Sequence, residues 1–213
     1  MANARLKGGG VAAALALQAA LSACAAEPPP KAAPFAPVPH TEPGVAFSEH
    51  GWETVVSPRF FVAFPVPDAR EWSIDDKSGR WLAAAHLPTK SMLWVRSWRE
   101  GSVVGHRTCE AVARSYRPDL FGRDETVLVD RRPLGAPAGF DTEVGFTVAR
   151  SKGALAAVAA ASGARVRQCL VIVYATRADG PDAEQVVADR VGFVVDRVFA
   201  RLESRSIDDR VVR

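Results

Sequence analysis

Seven prolines in a short stretch divide this chain and limit where it can fold. The stretch covers residues 25–44, and its prolines are Pro28, Pro29, Pro30, Pro34, Pro37, Pro39 and Pro43. Proline fixes φ and lacks the backbone N–H that helices and sheets need. We therefore expect an extended spacer, which at about 3.1 Å per residue would reach roughly 60 Å. A ligand for a proline-binding domain is the alternative.

The first 23 residues have the layout of a secretory signal peptide. Arg5 and Lys7 precede an almost wholly apolar run over residues 11–21, and small residues close it. The run is about half of the roughly 20 residues that a membrane-spanning helix needs. The pattern therefore predicts an export signal over residues 1–23 and no permanent transmembrane helix.

The motif Leu21-Ser22-Ala23-Cys24 ends the apolar run and resembles the lipobox of bacterial lipoprotein precursors. The resemblance implies cleavage before Cys24, a diacylglyceryl group on its thiol and a further acyl chain, such as palmitate, on the new amine. Two chains anchor stably where one is marginal. Ala25 follows instead of aspartate, which by the same resemblance implies the outer membrane, facing the periplasm. The alternative is an ordinary signal peptide with a chance cysteine.

Residues 45–203 are long enough for a single domain with a sizeable core, and residues 204–213 form a polar tail. The chain has 27 Lys and Arg against 24 Asp and Glu, and removal of Arg5 and Lys7 leaves 25 against 24. This balance argues against nucleic acid as a partner, because nucleic-acid proteins carry a clustered basic face.

The sequence predicts strands at residues 59–65, 80–86, 91–99, 126–133, 140–149 and 165–176. Apolar and polar side chains alternate within 91–99 and 140–149, whereas 59–65 is aromatic and β-branched and is bounded by prolines. Residues 154–161 are ambiguous. Their alanines favour a helix, whereas Ser162-Gly163 before a strong strand favours a hairpin.

Helical spacing marks two helices. Cys109, Val112, Ala113 and Tyr116 share one face of the first, with Thr108 as the expected cap. The second, C-terminal helix begins near Pro181 and carries an apolar stripe of Val187, Val191, Val194, Val195, Val198 and Leu202. Its expected outward side chains are Asp189, Arg190, Asp196, Arg197 and Arg201. These elements predict an α+β fold, an antiparallel sheet covered by helices.

Two segments, Phe60-Phe61-Val62-Ala63-Phe64-Pro65 and Val198-Phe199-Ala200-Arg201-Leu202, together with early hairpins and a mid-chain helix, resemble the PsbP-like fold. That fold is shared by photosystem extrinsic subunits and many bacterial envelope lipoproteins. The resemblance covers most of residues 59–202 and implies a fold, but it transfers no functional residue.

Cys109 and Cys169 are the two thiols left besides Cys24. An oxidising envelope permits a disulfide, and a helix packed on a sheet could bring the two together. Two separate buried thiols are the alternative, since free cysteine packs as a small hydrophobe.

Recognisable catalytic, metal-binding and cofactor motifs are missing from the sequence. His40, His50, His86 and His106 are scattered without paired spacing, so we expect surface or loop positions for them and no metal site. We accordingly expect no enzyme and no cofactor.

The tryptophans are concentrated between residues 52 and 98. Trp94 and Trp98 share one strand face with Arg96 between them. They either pack beneath the helices or form a binding surface, because exposed aromatics mark interfaces. The main hypothesis is a lipid-anchored envelope protein that binds or scaffolds an envelope protein. The alternative is an envelope enzyme or small-ligand binder whose site forms only in three dimensions, around His86 or His106 and the tryptophans.

Overall fold

A computed structural model describes residues 47, 50–121, 127–135, 139–151 and 154–204. The lipobox, the proline-rich spacer and residues 205–213 lie outside the described residues. The strands are β1 (Glu53–Ser57), β2 (Val62–Val66), β3 (Trp72–Asp75), β4 (Leu82–His86), β5 (Ser91–Arg99), β6 (Val127–Leu134), β7 (Asp141–Ser151), β8 (Ala154–Arg165), β9 (Gln168–Asp179) and β10 (Glu203–Ser204). The helices are α1 (His106–Tyr116) and α2 (Ala183–Arg197), with 3-10 turns at Ala69–Glu71, Pro118–Phe121 and Phe199–Arg201.

Two antiparallel sheets form the framework. The larger has the order β3-β4-β5-β9-β8-β7-β6, and the smaller has the order β1-β2-β10. Neighbouring strands in the large sheet follow each other along the chain except where β5 pairs with β9. Antiparallel strands with two helices, one of them C-terminal, confirm the α+β prediction.

Alternation along the central strands separates two packing faces, since successive side chains of a strand point to opposite sides. Ile172 and Tyr174 of β9 belong to the main core, which includes the buried valines of α2. Val171 and Val173 belong to a smaller cluster with Ala113 of α1. We call these two sides of the large sheet the α2 face and the α1 face.

The C-terminal helix follows its predicted stripe. Val187, Val191, Val194 and Val195 are buried, and the helix ends at Arg197. Val198 and Leu202 are buried beyond that end, because the Phe199–Arg201 turn leads the chain back to β2 through β10. In the described part of the chain, neither helix is long and apolar enough to cross a membrane.

Several local predictions differ from the structure. Strands β1 and β3 were not expected. The alanine-rich segment is strand β8, and the following hairpin turns at Val166 and Arg167 instead of at Ser162-Gly163. Thr108 lies inside α1, whose N-cap is Gly105. The boundary drawn after Glu203 falls within β10.

A disulfide joins α1 to the large sheet. Cys109 of α1 and Cys169 of β9 are bonded across a sequence separation of 60, with their Cα atoms 5.5 Å apart. Both residues are buried together with Ala164 of β8, and Trp98 packs against this cluster. The pairing agrees with the one favoured from the sequence.

Candidate functional site

Arg190 is a charged residue at the base of a surface cavity. The sequence predicts it on the outward face of α2, and this is wrong: the side chain is 6% exposed. Its Nη1 group donates hydrogen bonds to the Thr89 carbonyl at 2.9 Å, the Arg177 carbonyl at 3.1 Å and the Thr176 hydroxyl at 3.3 Å. Burial lowers the pKa of the guanidinium, because desolvation disfavours the charged form.

A chain of buried hydroxyl groups continues from Arg190 into the core. The Thr89 hydroxyl donates to Ser91 Oγ at 2.8 Å, and Ser91 donates to Thr176 Oγ1 at 2.9 Å. Ser91 Oγ also lies 2.8 Å from the hydroxyl of Tyr174. Burial raises the pKa of Tyr174 to about 12, so the phenol is neutral at physiological pH.

His86 terminates this chain. Its Nδ1 lies 2.8 Å from Thr89 Oγ1, within hydrogen-bond distance. Nε2 is buried and has no hydrogen-bond partner in the part of the chain that the structure describes. Burial lowers the pKa of His86. The expected surface or loop position of this histidine is therefore wrong.

The cavity above Arg190 has a volume of about 240 Å³. Its charged lining residues are Lys90, Arg177, Asp179 and Arg190. Asp179 pairs with Lys90 Nζ at 3.0 Å and with Arg177 Nη2 at 3.2 Å. Hydrogen bonds from Lys90 and then Arg177 lower the pKa of Asp179. Pro88, Ala178 and Val186 complete an apolar part of the wall. We call this feature the Arg190 cavity.

The predicted surface of Trp94, Arg96 and Trp98 lies on the α1 face. All three are half-buried on β5, as the alternation predicts. The Arg96 guanidinium carbon lies 4.9 Å from the ring centre of Tyr116, 5.2 Å from Trp98 and 5.9 Å from Trp81. Tyr116 is 48% exposed. We call Arg80, Trp81, Trp94, Arg96, Trp98 and Tyr116 the Arg96 surface.

Two donors of this surface have no acceptor within the part of the chain that the structure describes. Arg96 Nη1 and Trp81 Nε1 are buried without a hydrogen-bond partner among the described residues. Burial lowers the pKa of Arg96, and the positive charge of Arg80 acts in the same direction. The sequence left two alternatives for the tryptophans, packing in the core or lying at a surface, and different tryptophans follow each of them. Trp81 is core, whereas Trp94 and Trp98 remain partly accessible and flank a cation.

His106 belongs to a network of charges between α1 and β7. Its Nδ1 lies 3.2 Å from Asp141 Oδ2, and its Nε2 lies 3.8 Å from Glu143 Oε2. Arg131 bridges Glu110 at 3.2 Å and Glu143 at 2.8 Å. The described residues contain no group of three or more His, Cys, Asp or Glu side chains placed to hold a metal ion.

Ion pairing outweighs burial at Glu110 in this network. Burial opposes ionisation of Glu110, but hydrogen bonds and charges from Arg114 and Arg131 lower its pKa overall. Since every member pairs with another, the arrangement holds α1 against the sheet.

Sequence and structure comparisons identify no family. No family model matches the chain, and no curated protein sequence is similar to it. The PsbP-like resemblance stays a prediction. A crystal structure of a Bacteroides thetaiotaomicron protein is similar with 11% identity and a TM-score of 0.42, over 73% of this chain and 49% of that one. The chain thus spans about half the length of that protein.

A second solved structure is LpqN, described as involved in cell envelope biogenesis of Mycobacterium tuberculosis. It has 13% identity and a TM-score of 0.43, over 72% of this chain and 91% of LpqN. The similarity is distant, and with both TM-scores below 0.5 neither comparison carries a functional argument.

Proposed function

We propose that this chain is a lipoprotein of the bacterial envelope, held by acyl chains on Cys24, whose folded domain binds another envelope component and catalyses no reaction. The motif Leu21-Ser22-Ala23-Cys24 after an apolar run supports the anchor. The Cys109–Cys169 disulfide is consistent with an oxidising compartment. Ala25 favours the outer membrane, with the domain in the periplasm at the end of its proline-rich spacer.

The observation that carries the binding role is the Arg96 surface. Arginine and aromatic residues are enriched at interfaces and supply most of their strongest contacts. Here Tyr116 and Trp98 lie close to the Arg96 guanidinium, which holds it in place. The guanidinium and the Trp81 indole each retain a donor without an acceptor in the described chain. An unsatisfied buried donor costs about 1–3 kcal/mol, and a partner carboxylate against the accessible part of the Arg96 side chain would pair with its charge.

Crosslinking in intact cells, followed by purification of the full chain, tests the binding role. Arg96→Met keeps the aliphatic stem and removes the charge, so we expect a stably folded protein that loses its crosslinked envelope partner. Arg150→Met is the matched control, because Arg150 is an exposed arginine on β7 that pairs with Glu184, and neither residue belongs to the Arg96 surface. Equal partner recovery with both variants, or no envelope partner for the unaltered chain, would refute the role of this surface.

The anchor is tested separately. Cys24→Ser should leave an uncleaved precursor and abolish labelling by a radioactive fatty acid. If the Cys24→Ser protein is still labelled, the lipoprotein assignment fails whatever the crosslinking shows.

A further inference from the structure

We propose that the turn between β4 and β5, with Leu87 at its tip, contacts the lipid surface of the membrane to which the chain is anchored. The Leu87 side chain enters the boundary between the lipid head groups and the acyl chains. This inference rests on the proposed function, since it needs the anchor on Cys24, and it adds which end of the domain faces the membrane.

Leu87 is an apolar side chain that the fold leaves in solvent. It is 78% exposed, the highest value among the exposed large hydrophobic residues that the structure describes, and the next residue, Pro88, is exposed as well. The first position of a turn favours Asp, Asn or Ser, so the turn itself does not require leucine. A single exposed leucine is ordinary on a protein surface, but this one is rigidly held at a particular end of the domain.

Hydrogen bonds fix the turn so that Leu87 projects outward. The Lys90 amide donates to the Leu87 carbonyl at 3.1 Å, which closes the turn. Beneath the tip, Thr89 is 1% exposed, its hydroxyl donates to Ser91 Oγ at 2.8 Å, and its Oγ1 lies 2.8 Å from His86 Nδ1. The apolar tip is therefore in position before any contact forms, and this reduces the entropy lost on binding.

The chain enters the folded domain beside this turn. Phe47 is the first residue that the structure describes, and it is 5% exposed. Its ring centre lies 5.0 Å from that of His86, the residue directly before Leu87. The proline-rich stretch of residues 25–44 lies between Cys24 and Phe47. An anchored chain therefore reaches the domain at the end that carries Leu87.

Half-buried aromatic rings border the same point of entry. The ring centres of Phe47 and Phe193 are 5.5 Å apart, and those of Phe193 and Trp52 are 5.7 Å apart. Trp52 and Phe193 are both half-buried. Tryptophan is enriched where a membrane meets water, because its ring is apolar and its N–H is polar. An exposed aliphatic tip near partly exposed aromatic rings matches the Trp, Phe and Leu that peripheral membrane segments turn toward lipid.

The anchor makes a weak contact sufficient. Tethering converts the contact between domain and bilayer into an intramolecular event, so the contact needs no high intrinsic affinity. Burial of one leucine side chain shifts an equilibrium by roughly ten- to hundredfold. That shift is large enough to hold a tethered domain against the membrane for most of the time.

The opposite end of β5 supplies a matched control. Val103 is 75% exposed and follows β5 at its far end, where the Glu100 amide donates to the Arg167 carbonyl at 2.8 Å. The nine residues of β5, at about 3.4 Å each, put roughly 30 Å between the two ends. Val103 and Leu87 therefore have similar exposure at opposite ends of one strand, and of the two only Leu87 lies beside the point where the chain enters.

The experiment uses the anchored chain as purified from bacterial membranes, with one chain in each nanodisc. The nanodiscs contain equal parts of phosphatidylethanolamine and phosphatidylglycerol and a lipid that carries a nitroxide near its head group. The nitroxide speeds the relaxation of nearby methyl protons, and this effect falls steeply with distance. We expect strong relaxation of the Leu87 methyl groups and little relaxation of the Val103 methyl groups.

Leu87→Asn removes the apolar tip without disturbing the fold. Asparagine suits the first position of a turn, so thermal unfolding should be unchanged, whereas docking on the bilayer should weaken roughly ten- to hundredfold. The methyl group of Thr89, next to the tip, reports docking in this variant and should lose its relaxation. Leu87→Met keeps an apolar tip and should preserve the relaxation of Thr89, and Val103→Asn should leave it unchanged.

The inference is overturned if an acylated chain shows no more relaxation at Leu87 than at Val103, or if Leu87→Asn leaves the relaxation of Thr89 unchanged. It is also overturned if Leu87 is shielded from a soluble relaxation agent only in nanodiscs that hold two chains, since a second copy then covers the turn. A mass measurement distinguishes failure of the proposed function. Absence of acyl chains on Cys24 refutes the anchor and this inference together, whereas an acylated chain with an unrelaxed Leu87 refutes this inference alone.

Discussion

Opening the Cys109–Cys169 disulfide should destabilise the domain by an amount that the structure allows us to work out. The bond closes a loop over a sequence separation of 60. In the chain-entropy model, such a crosslink restricts the unfolded chain and contributes about 4 kcal/mol to the free energy of unfolding. For a domain of roughly 150 residues, 1 kcal/mol corresponds to about 2–4 °C in melting temperature. The expected decrease is therefore about 8–16 °C.

Reduction of this disulfide should also loosen the attachment of α1 to the large sheet. Cys109 lies on α1, and its partner lies on β9 beside Ala164. Reduction removes the covalent link between the helix and the sheet, so α1 should exchange its amide hydrogens faster than α2 does. Trp98 packs against the same cluster, and its fluorescence should change when the sulfurs separate.

Guanidinium unfolding of the full chain with and without a reductant measures the loss. Reduced protein keeps both sulfur atoms, so it isolates the crosslink. The double variant Cys109→Ala/Cys169→Ala also removes their packing and should be slightly less stable again. Alkylation followed by mass measurement must show that both thiols are free in the reduced sample. If the unfolding midpoint then remains unchanged, the stabilising role argued from loop closure is wrong.

Three further predictions concern single positions. Because burial lowers the pKa of His86, the unfolded chain binds a proton first, near pH 6.5. The free energy of unfolding therefore keeps the full contribution of neutral His86 above that pH and decreases on acidification, by up to about 1.4 kcal/mol per pH unit. His86→Phe should flatten this slope in denaturation measured from pH 7.5 to 5. Gly163→Ala would place a Cβ 2.6 Å from Thr142 Oγ1 and should cost about 1–3 kcal/mol, whereas Gly192→Ala, with open space inside α2, should gain up to about 1 kcal/mol. Val166 has a φ of 54°, which a β-branched residue rarely adopts. Val166→Asn should therefore raise the free energy of unfolding by up to about 1 kcal/mol, measured by denaturant titration.

Strands with strict alternation and helices with clear apolar stripes could be predicted from the sequence. Strand β5 has the predicted bounds, and its two faces are divided as expected. β8 was ambiguous for a physical reason. Alanine favours a helix in isolation. In the structure, β8 is hydrogen-bonded to β7 on one side and to β9 on the other, and this pairing overrides the helix preference, because strand formation depends more on neighbouring strands than on local propensity.

The Arg190 cavity could be predicted only in part. Position 190 is three residues after Val187 and four before Val194, so helical spacing alone places it on the buried stripe. Its charge argues instead for an outward position, since arginine is rarely buried without partners. Those partners are the carbonyls of Thr89 and Arg177, which lie about 100 and 13 positions away. Nothing in the sequence pairs them with α2 before the sheet is assembled.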